Sequence, residues 1–398
     1  PDSEALDELV SRTVATGLKS AGVCLLNAWK NPEHEVRLGA MLKGGGLSTV
    51  TISSELETRI KYLERARTTA VNSYLQPVMD SFLERISTQA GNRSFRVMTS
   101  SGGLKPDSGF QARDSLLSGP AGGVVGVAHT ARESDLHRVI SFDMGGTSTD
   151  VSRYDHGYDY SFELQIAGLK IATPAVAIET VAAGGGSICS FDGFKLSVGP
   201  ESAGADPGPA CYGRGGPLTV TDINLLAGRV DPSLVSIPIY PLASLAAARE
   251  MTEEITLSKG LRFSIDQLIE GLLKIADEIM AGAIKKISTG KGFSPAEYAM
   301  VAFGGAGGMH ACGVAGILGI STIISPPRAG LLSAEGIRNA QPEFMGHIEV
   351  LKNLDTIEGS LPEMFAGLEA ESRRCLAEEG VPAEEDRKST RLNSSHYS

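Results

Sequence analysis

The sequence predicts an α/β fold in which glycine-rich loops follow buried strands. Two stretches carry this prediction, because in each a short apolar run leads directly into a glycine-rich segment. The first is V-I-S-F-D-M-G-G-T-S-T-D-V at 139–151, and the second joins the apolar run 298–303 to G-G-A-G-G at 304–308. Both runs have the length of a strand, and amphipathic helical patterns occupy much of the remaining chain.

The first part of the chain shows apolar periodicity bounded by capping and breaking residues. Pro32 suits a first helical position, and the glycines at 44–46 suit the end of that helix. The expected elements are a helix ending near Leu18, a strand at 23–26, a helix at 32–44, a strand at 49–52, a long helix at 56–86 bent near Pro77, a strand at 95–98 and a helix at 118–131.

The second part of the chain begins with strands and ends with helices. Strands are expected within 151–198, where Asp192 and Gly193 indicate a hairpin turn. After them we expect helices at 241–259 and 265–288, a strand at 298–303, a helix at 310–318, a strand at 322–325 and a mostly helical segment at 342–385.

Polar and small residues on two of the helices allow alternative interpretations. Arg65, Arg67 and Asn72 on the long helix either reach a ligand or form a solvated face. Gly122 and Gly123, near the start of a later helix, either open space for an anion or allow tight helix packing.

Composition and charge exclude several classes of function. The formal net charge is −11 without a basic stripe, so nucleic acid is not an expected partner. No apolar run has the length of a membrane span, so no membrane association is expected. The five cysteines contain no C-x-x-C pair, which argues against a disulfide framework or a zinc site and favours a cytoplasmic protein.

The first glycine-rich stretch has the residues of a magnesium-phosphate site. Its candidate residues, in order, are Asp143, Gly145, Gly146, Thr147, Ser148, Thr149 and Asp150. The glycines let backbone amides approach a polyanion, and the hydroxyls add donors. Two carboxylates beside such a turn repel phosphate unless a divalent cation lies between them, so Asp143 and Asp150 are candidate Mg²⁺ ligands. The alternative is an ordinary hairpin turn, since all of these residue types favour turns.

Further candidate residues lie in three other places. A second glycine loop supplies Gly184, Gly185 and Gly186 as candidate nucleotide-binding residues. Asp222, just before a helix, is either a partner of that helix's N-terminus or a catalytic acid. The candidates at the last glycine-rich segment, which suits a nucleotide's sugar and base or its phosphate, are Gly304, Gly305, Gly307, Gly308 and His310.

The order and separation of the two strand-loop elements resemble the actin-like, ribonuclease H-like ATPase fold. Six motifs in the same order also resemble the hydantoinase A/5-oxoprolinase family, and the first and fifth look closer to its 5-oxoprolinase branch. They are F-D-M-G-G-T-S-T-D-V-S at 142–152, T-V-A-A-G-G-G-S at 180–187, V-G-P-E-S-A-G-A-D-P-G-P-A-C-Y at 198–212, T-V-T-D-I-N-L-L-A-G-R at 219–229, A-F-G-G-A-G-G-M-H-A-C at 302–312 and G-L-L-S-A at 330–334.

This resemblance implies an enzyme that uses ATP and Mg²⁺ to open a cyclic amide such as 5-oxoproline or a hydantoin. Phosphorylation of the amide oxygen would activate an unreactive lactam, and a hydantoinase B-type subunit or fused domain would complete hydrolysis. The alternatives are a subunit of an ATP-dependent ketone carboxylase and a noncatalytic nucleotide-binding subunit. The substrate and any homo-oligomeric state stay open.

The resemblance also implies a two-lobed chain with an incomplete N-terminal lobe. The family carries an earlier D-x-G-G-T-x-T-D loop, which this sequence lacks, so we expect a fragment with weak nucleotide binding and no ring opening. The last residues resemble a translated sequencing adapter and are expected to be disordered. The expected divisions are 1–90 as the remainder of the N-terminal domain, 91–340 as the ATPase domain, 341–385 as a helical segment and 386–398 as the adapter scar.

Overall fold

The computed structural model of the chain describes residues 3–91, 93–260 and 262–382. The predicted adapter scar at 386–398 lies outside the described residues. The α-helices are α1 (Ser3–Ala15), α2 (Glu33–Gly44), α3 (Ser53–Leu56), α4 (Tyr62–Gln89), α5 (Ser118–Glu133), α6 (Val220–Leu226), α7 (Pro241–Lys259), α8 (Ile265–Ile287), α9 (Gly307–Leu318), α10 (Leu332–Asn339), α11 (Leu354–Ile357) and α12 (Leu361–Glu378).

The strands are β1 (Ser20–Val23), β2 (Thr49–Ile52), β3 (Arg96–Met98), β4 (Leu104–Pro106), β5 (Arg138–Met144), β6 (Thr149–Asp155), β7 (Tyr160–Ile166), β8 (Leu169–Val176), β9 (Ile178–Val181), β10 (Ser187–Phe191), β11 (Leu196–Ser202), β12 (Ala299–Phe303) and β13 (Ile323–Ile324). The chain contains both helices and strands, and helices pack against the main sheet described below, so the α/β prediction is confirmed. The described part of the chain contains no helix long and apolar enough to cross a membrane.

The chain divides into two compact units. The first comprises the described parts of 1–121, 160–175 and 340–398, and the second comprises 122–159 and 176–339. The four-part division expected from the sequence remains a prediction.

The first unit contains the parallel pair β1 and β2 and the long helix α4. Arg65 on α4 is fully buried, and its guanidinium donates to Leu25 O at 2.7 Å and to Arg59 O at 3.0 Å. Asn72 is also fully buried, and its Oδ1 accepts from Arg113 N at 3.0 Å. Neither predicted alternative holds for these two side chains, because both bond the loops packed against α4.

The segment before α11 differs from the helical prediction for 342–385. The described residues 341–353 contain no helix. Pro342 instead forms a parallel bridge with Leu104, and the Glu343 carboxylate accepts from Ser101 Oγ at 2.7 Å. These non-local contacts, which the local apolar pattern does not encode, hold the segment in an extended path.

The second unit is built on a five-stranded sheet with the order β13–β12–β5–β6–β9. β6 pairs antiparallel with both β5 and β9, whereas β12 runs parallel to both β5 and β13. The sheet thus has three antiparallel strands, β5, β6 and β9, and the parallel strands β12 and β13 are added on the β5 side. This is the sheet of the predicted actin-like, ribonuclease H-like fold. The predicted fold class is therefore confirmed.

The core of the second unit lies between the sheet and helices α8 and α9. Fully buried apolar side chains from strands β5 and β12 and from helices α8 and α9 form one cluster there. Its members include Phe142, Met300, Leu272, Met280 and Val314. Because this cluster covers one face of β5 and β12, the carboxyl ends of these two parallel strands are held at one edge of the sheet.

Glycines bring α5 close to α10 within the second unit. A Cβ added at Gly122 would lie 2.8 Å from Ser333 O, and one added at Gly126 would lie 2.6 Å from Leu332 O. Gly336 on α10 faces the backbone of Gly122 in the same way. A Cβ added at Gly123 would lie 2.9 Å from the Phe303 ring and 3.2 Å from Ser333 Oγ, so tight packing is the interpretation that is confirmed for Gly122 and Gly123.

Candidate functional site

The first glycine-rich stretch forms a tight turn between β5 and β6. Gly145 N donates to Ser148 O at 3.0 Å and closes the turn, whose tip residues Gly146 and Thr147 are exposed. None of the hydrogen bonds among the described residues uses the amides of Gly146, Thr147 and Ser148 or the hydroxyls of the latter two. The predicted strand-turn-strand arrangement is confirmed, and the turn presents a group of unused donors of the kind that binds anions.

Two carboxylates flank this turn. The antiparallel register sets Asp143 on β5 opposite Asp150 on β6. Burial raises the pKa of Asp143 to about 6, and the charge of Asp150 adds to the rise. Burial also raises the pKa of Asp150, although its hydrogen bond from Thr180 Oγ1, at 2.6 Å, acts in the opposite direction. Neither carboxylate has an ion-pair partner among the described residues, so the pair lacks a compensating cation.

This acidic pair fits a magnesium ion that is bound together with a phosphate. The described residues contain no group of three or more His, Cys, Asp or Glu side chains that could hold a metal by themselves. Mg²⁺ commonly takes only one or two protein carboxylates and completes its shell with water and substrate phosphates. Asp143 and Asp150 beside a turn of unused amides match that donor set.

The second glycine loop supports the turn from behind. Gly185 N donates to Gly145 O at 3.0 Å, and Gly186 N donates to Gly146 O at 2.6 Å. Gly184 N donates to Ser187 Oγ at 2.9 Å. All three glycines are buried, and their amides are already used within the protein. The structure therefore places Gly184, Gly185 and Gly186 behind the turn, where they position it.

Thr149 has a similar supporting position. Its side chain is fully buried, and its hydroxyl donates to Ala183 O at 2.5 Å. Of the three hydroxyls predicted to face phosphate, those of Thr147 and Ser148 remain unused, whereas that of Thr149 ties the start of β6 to the second glycine loop.

The last glycine-rich segment connects β12 to α9. Gly304 has a positive φ of 79°, and its N–H donates to Ala329 O at 3.1 Å. Gly305 and Gly308 are exposed, and a Cβ added at either would meet no atom within 4 Å. The amides of Gly305, Gly307 and Gly308 have no acceptor among the described residues. The unpaired amides at the start of a helix can bind an anion.

The two predicted loops lie side by side. β5 and β12 are parallel, and Asp143 is paired with Phe303, so both strands end at the same edge of the sheet. Ala306 N donates to Met144 O at 3.0 Å, and a side chain at Gly304 would collide with the Asp143 carboxylate. The carboxyl edge of parallel strands is where α/β folds bind ligands, so this edge is the candidate site.

His310 lies on α9, but its ring faces away from the loop. The ring is fully buried, with Nδ1 at 2.6 Å from Asp277 Oδ1 and Nε2 at 2.8 Å from Asn224 Nδ2. The structure therefore gives the His310 side chain contacts to α8 and α6, not an open position toward a nucleotide. Its predicted role in cofactor binding is not supported by this geometry.

Asp222 takes the first of its two predicted roles. Asp222 is the N3 residue of the capping box at the start of α6. Its carboxylate accepts from Thr219 N and Thr219 Oγ1, each at 2.8 Å. Its carboxylate also accepts from Cys211 N at 2.7 Å and from Ser244 Oγ at 2.7 Å, and the residue is fully buried. A carboxylate with these partners and no solvent access stabilises the fold, and the geometry does not support the predicted catalytic role.

Thr180 is a site residue that the sequence did not single out. It is exposed and orients Asp150 through the hydrogen bond described above. Its position as the first residue of the T-V-A-A-G-G-G-S motif was the available signal.

Comparison with known proteins gives one family match. The family model Hydantoinase/oxoprolinase matches residues 65–345. The 5-oxoprolinase of Saccharomyces cerevisiae is 39% identical over 350 residues, which are 85% of this chain and 27% of that protein. The caprolactamase subunit alpha of Pseudomonas jessenii is 35% identical over 321 residues, which are 77% of this chain and 45% of that protein. The chain thus spans about a quarter to a half of these relatives' lengths.

Two solved structures share the fold. The ATP-dependent caprolactamase from Pseudomonas jessenii superposes with a TM-score of 0.81 at 28% identity, covering 95% of this chain and 56% of that one. Nucleotide-free acetone carboxylase superposes with a TM-score of 0.72 at 24% identity, covering 96% of this chain and 56% of that one.

Proposed function

Because the chain belongs to the hydantoinase/oxoprolinase family, we propose that it forms the nucleotide-phosphate site of an ATP-dependent enzyme that opens a cyclic amide. The observation that carries this proposal is the meeting of two loops with unused amides at one sheet edge, beside the paired carboxylates Asp143 and Asp150. The relatives named 5-oxoprolinase and caprolactamase indicate the class of substrate.

In this proposal each part of the site has a separate task. The amides of 146–148 and the hydroxyls of Thr147 and Ser148 bind the terminal phosphates of ATP. The start of α9, at Gly307 and Gly308, binds a more distal part of the nucleotide. Asp143 and Asp150 hold Mg²⁺, which when bound neutralises phosphate charge and orients the phosphates for transfer.

The chemical step is phosphorylation of the amide oxygen. This oxygen attacks the γ-phosphorus, a P–O bond forms, and the bond to ADP breaks with ADP as the leaving group. Water then adds to the activated amide carbon, and the ring opens when the C–N bond breaks, with the nitrogen leaving as an amine and the carbon left as an acyl phosphate. A second water hydrolyses this acyl phosphate to a carboxylate and inorganic phosphate. Fixed donors on the turn assist the first step because charge develops on the phosphoryl oxygens where the amides already lie.

We further propose that hydrolysis requires a hydantoinase B-type subunit or fused domain. The relative from Pseudomonas jessenii is named as a subunit, which supports a multi-component enzyme. The substrate, whether 5-oxoproline or a hydantoin, and the cytoplasmic location suggested by the free cysteines remain predictions. A ketone carboxylase role is supported only by the fold shared with acetone carboxylase.

Calorimetric titration of the purified chain with Mg-ADP and Mg-ATP tests the nucleotide site. We expect binding that requires Mg²⁺ and that Asp143→Asn weakens by about tenfold or more, the range for loss of one group that contacts a bound charge. Asp206→Asn is the matched control, because Asp206 is 86% exposed and the proposed site assigns it no role.

Two results would contradict this proposal. If the chain binds Mg-ADP and Mg-ATP no better than it binds Mg²⁺ alone, the nucleotide site is wrong. If Asp143→Asn and Asp206→Asn have equal effects, the nucleotide binds elsewhere. The amide chemistry has its own test on the full-length enzyme, because no ring opening is expected of this chain alone. The assay measures cyclic-amide-dependent ADP release with a B-type partner and with 5-oxoproline, a hydantoin and a ketone in parallel.

A further inference from the structure

The turn between β5 and β6, residues 145–148, is called the phosphate turn below because of its proposed role. The segment 219–229, which contains α6, begins with residues that contact the glycine loop 184–186 behind this turn. Thr221 bonds Gly185 O twice, through its amide at 2.7 Å and its hydroxyl at 2.8 Å. Gly185 N then donates to Gly145 O at 3.0 Å. The start of this segment is therefore joined to the turn through a single buried glycine.

The end of the same segment contacts the first turn of α9. Arg229 Nη1 donates to Met309 O at 2.7 Å, and Asn224 Nδ2 lies 2.8 Å from His310 Nε2. Met309 and His310 directly follow the glycines whose amides face the candidate site. The segment thus reaches both loops from behind, and none of these contacts uses a group that the proposed mechanism assigns to the nucleotide.

The hydrogen bonds at the His310 end determine which atoms donate. Asn224 Nδ2 also donates to Val220 O at 3.0 Å, and its Oδ1 accepts from Arg229 at 3.4 Å, so the amide orientation is set. His310 Nε2 must therefore accept, which leaves the proton on Nδ1, where it is donated to Asp277 Oδ1 at 2.6 Å. A ring held on both nitrogens cannot rotate without losing buried hydrogen bonds.

The segment is itself anchored. The capping box of Thr219 and Asp222 fixes the start of α6, and the Asp222 carboxylate also binds Cys211 N and Ser244 Oγ. An element with satisfied buried groups at both ends has little freedom to move independently of its contacts.

We propose that residues 219–229 are a positioning brace that fixes the separation between the phosphate turn and the start of α9. The proposal rests on the proposed function, because a fixed separation matters where one nucleotide must contact both loops at once. Preorganised spacing of this kind lowers the ordering cost of binding and of phosphoryl transfer. The brace residues are positioning residues, not catalytic residues.

The first test needs no nucleotide. Amide hydrogen exchange is measured at Gly145, Ala306 and Met309, whose amides are hydrogen-bonded, in the wild-type chain and in two variants, Thr221→Val and Arg229→Ala. Thr221→Val removes one hydroxyl donor with little change of shape, and Arg229 is exposed, so both variants should fold. A brace predicts faster exchange in both loops for each variant. Faster exchange only in the loop next to the substitution would overturn the proposal.

The second test uses Mg-ADP affinity. Each variant is expected to raise the dissociation constant by about 3- to 30-fold, the range for residues that modulate a site without touching the ligand. Arg229→Lys should recover part of the loss, because an ammonium group can still donate to Met309 O. Equal affinities in wild type and both variants would overturn the proposal.

Matched controls separate the brace from general destabilisation. Thr256→Val removes a hydroxyl that donates to Thr252 O at 2.8 Å within α7, and Arg214→Ala removes an arginine that is 62% exposed. Neither control should change loop exchange or affinity, and a control effect as large as that of the brace variants would overturn the proposal. If the wild-type chain binds no Mg-ADP, the proposed function fails, and hydrogen exchange alone decides whether the brace exists.

Discussion

At the residue scale, the candidate site contains an acidic pair that has no cationic partner among the residues that the structure describes. Asp143 and Asp150 face each other across two strands, and burial raises the pKa of both carboxyls. A protein that keeps such a pair is less stable than one with neutral residues there, unless a bound cation offsets the repulsion. The charge of Asp143 therefore makes the free energy of unfolding depend on whether a cation is bound at the proposed metal site.

We predict that Asp143→Asn stabilises the ligand-free chain at neutral pH. The folded pKa of about 6 lies above the ordinary aspartate value of 3.8, so the folded state holds this proton more tightly than the unfolded state. Ionisation of Asp143 therefore lowers stability progressively as pH rises from 3.8 to 6, and the full penalty is present above about 6. With allowance for its partial exposure, the variant should gain about 1 kcal/mol at pH 7.5.

Thermal unfolding at several pH values measures this effect. A gain of about 1 kcal/mol corresponds to a rise of about 2–4 °C for a unit of this size. The gain should disappear near pH 4, where the aspartate is protonated in the folded protein. A variant that is less stable than wild type at pH 7.5 would show that Asp143 has a favourable partner.

A second prediction concerns magnesium. Only the ionised carboxylate binds Mg²⁺, so protons compete with the metal at Asp143. Mg²⁺-dependent nucleotide affinity should be nearly constant above pH 7 and should fall below about pH 6 by up to about tenfold per pH unit. Titration calorimetry from pH 5 to 8 measures this profile. A flat profile would exclude Asp143 as a ligand.

At the element scale, the loop from β12 to α9 contains glycines with different constraints. Gly304 has a positive φ, and any side chain there would meet Asp143 and Met144 O. Gly305 has open space around its Cβ position. A substitution at Gly304 therefore damages the fold, whereas one at Gly305 reports on contact with a ligand.

We predict that Gly305→Val lowers nucleotide affinity with little change in melting temperature. In the proposed function the backbone of this loop lies against the nucleotide, so a branched side chain there would occupy its space. Gly304→Val is the matched comparison and should lower the melting temperature strongly, because both backbone conformation and sterics oppose it. Unchanged affinity in Gly305→Val would mean that the loop contributes only packing.

Helix α4 shows why polar residues on a predicted helix are difficult to interpret. Arg65 and Asn72 are fully buried because the loops around α4 offer backbone and side-chain partners, whereas Arg67 is exposed. Burying a charged group destabilises a fold unless its hydrogen-bond donors are satisfied. The partners of the Arg65 guanidinium come from residues up to 40 positions away in the sequence. No local pattern contains that information.

At the scale of the whole molecule, nucleotide binding should raise stability. A ligand that binds only the folded state at 100 times its dissociation constant adds about 2.7 kcal/mol. We predict that Mg-ADP at that concentration raises the melting temperature by about 5–10 °C, given a shift of about 2–4 °C per kcal/mol. Differential scanning calorimetry with ADP plus EDTA is the control. An equal shift without Mg²⁺ would contradict the metal-dependent site.

The sequence by itself determined the fold class, the hairpin around the phosphate turn and the family. These features are readable because they depend on local rules: apolar runs make buried strands, and glycines with hydroxyls and acids make tight turns. Helix α7 and strand β2 were predicted with the bounds that the structure has, for the same reason. The six motifs, which occur in the same order as in the family, identified the family.

Only the tertiary structure decided which candidate residues face the site. Asp222, His310 and Thr149 have residue types suited to chemistry, yet all three are buried with their hydrogen bonds satisfied inside the second unit. Gly184–Gly186 use their amides within the protein and support the turn, and Thr180 joins the site by bonding Asp150. The physical reason is that exposure and hydrogen-bond partners depend on which distant segments pack together, and that packing is not encoded in any short stretch of sequence.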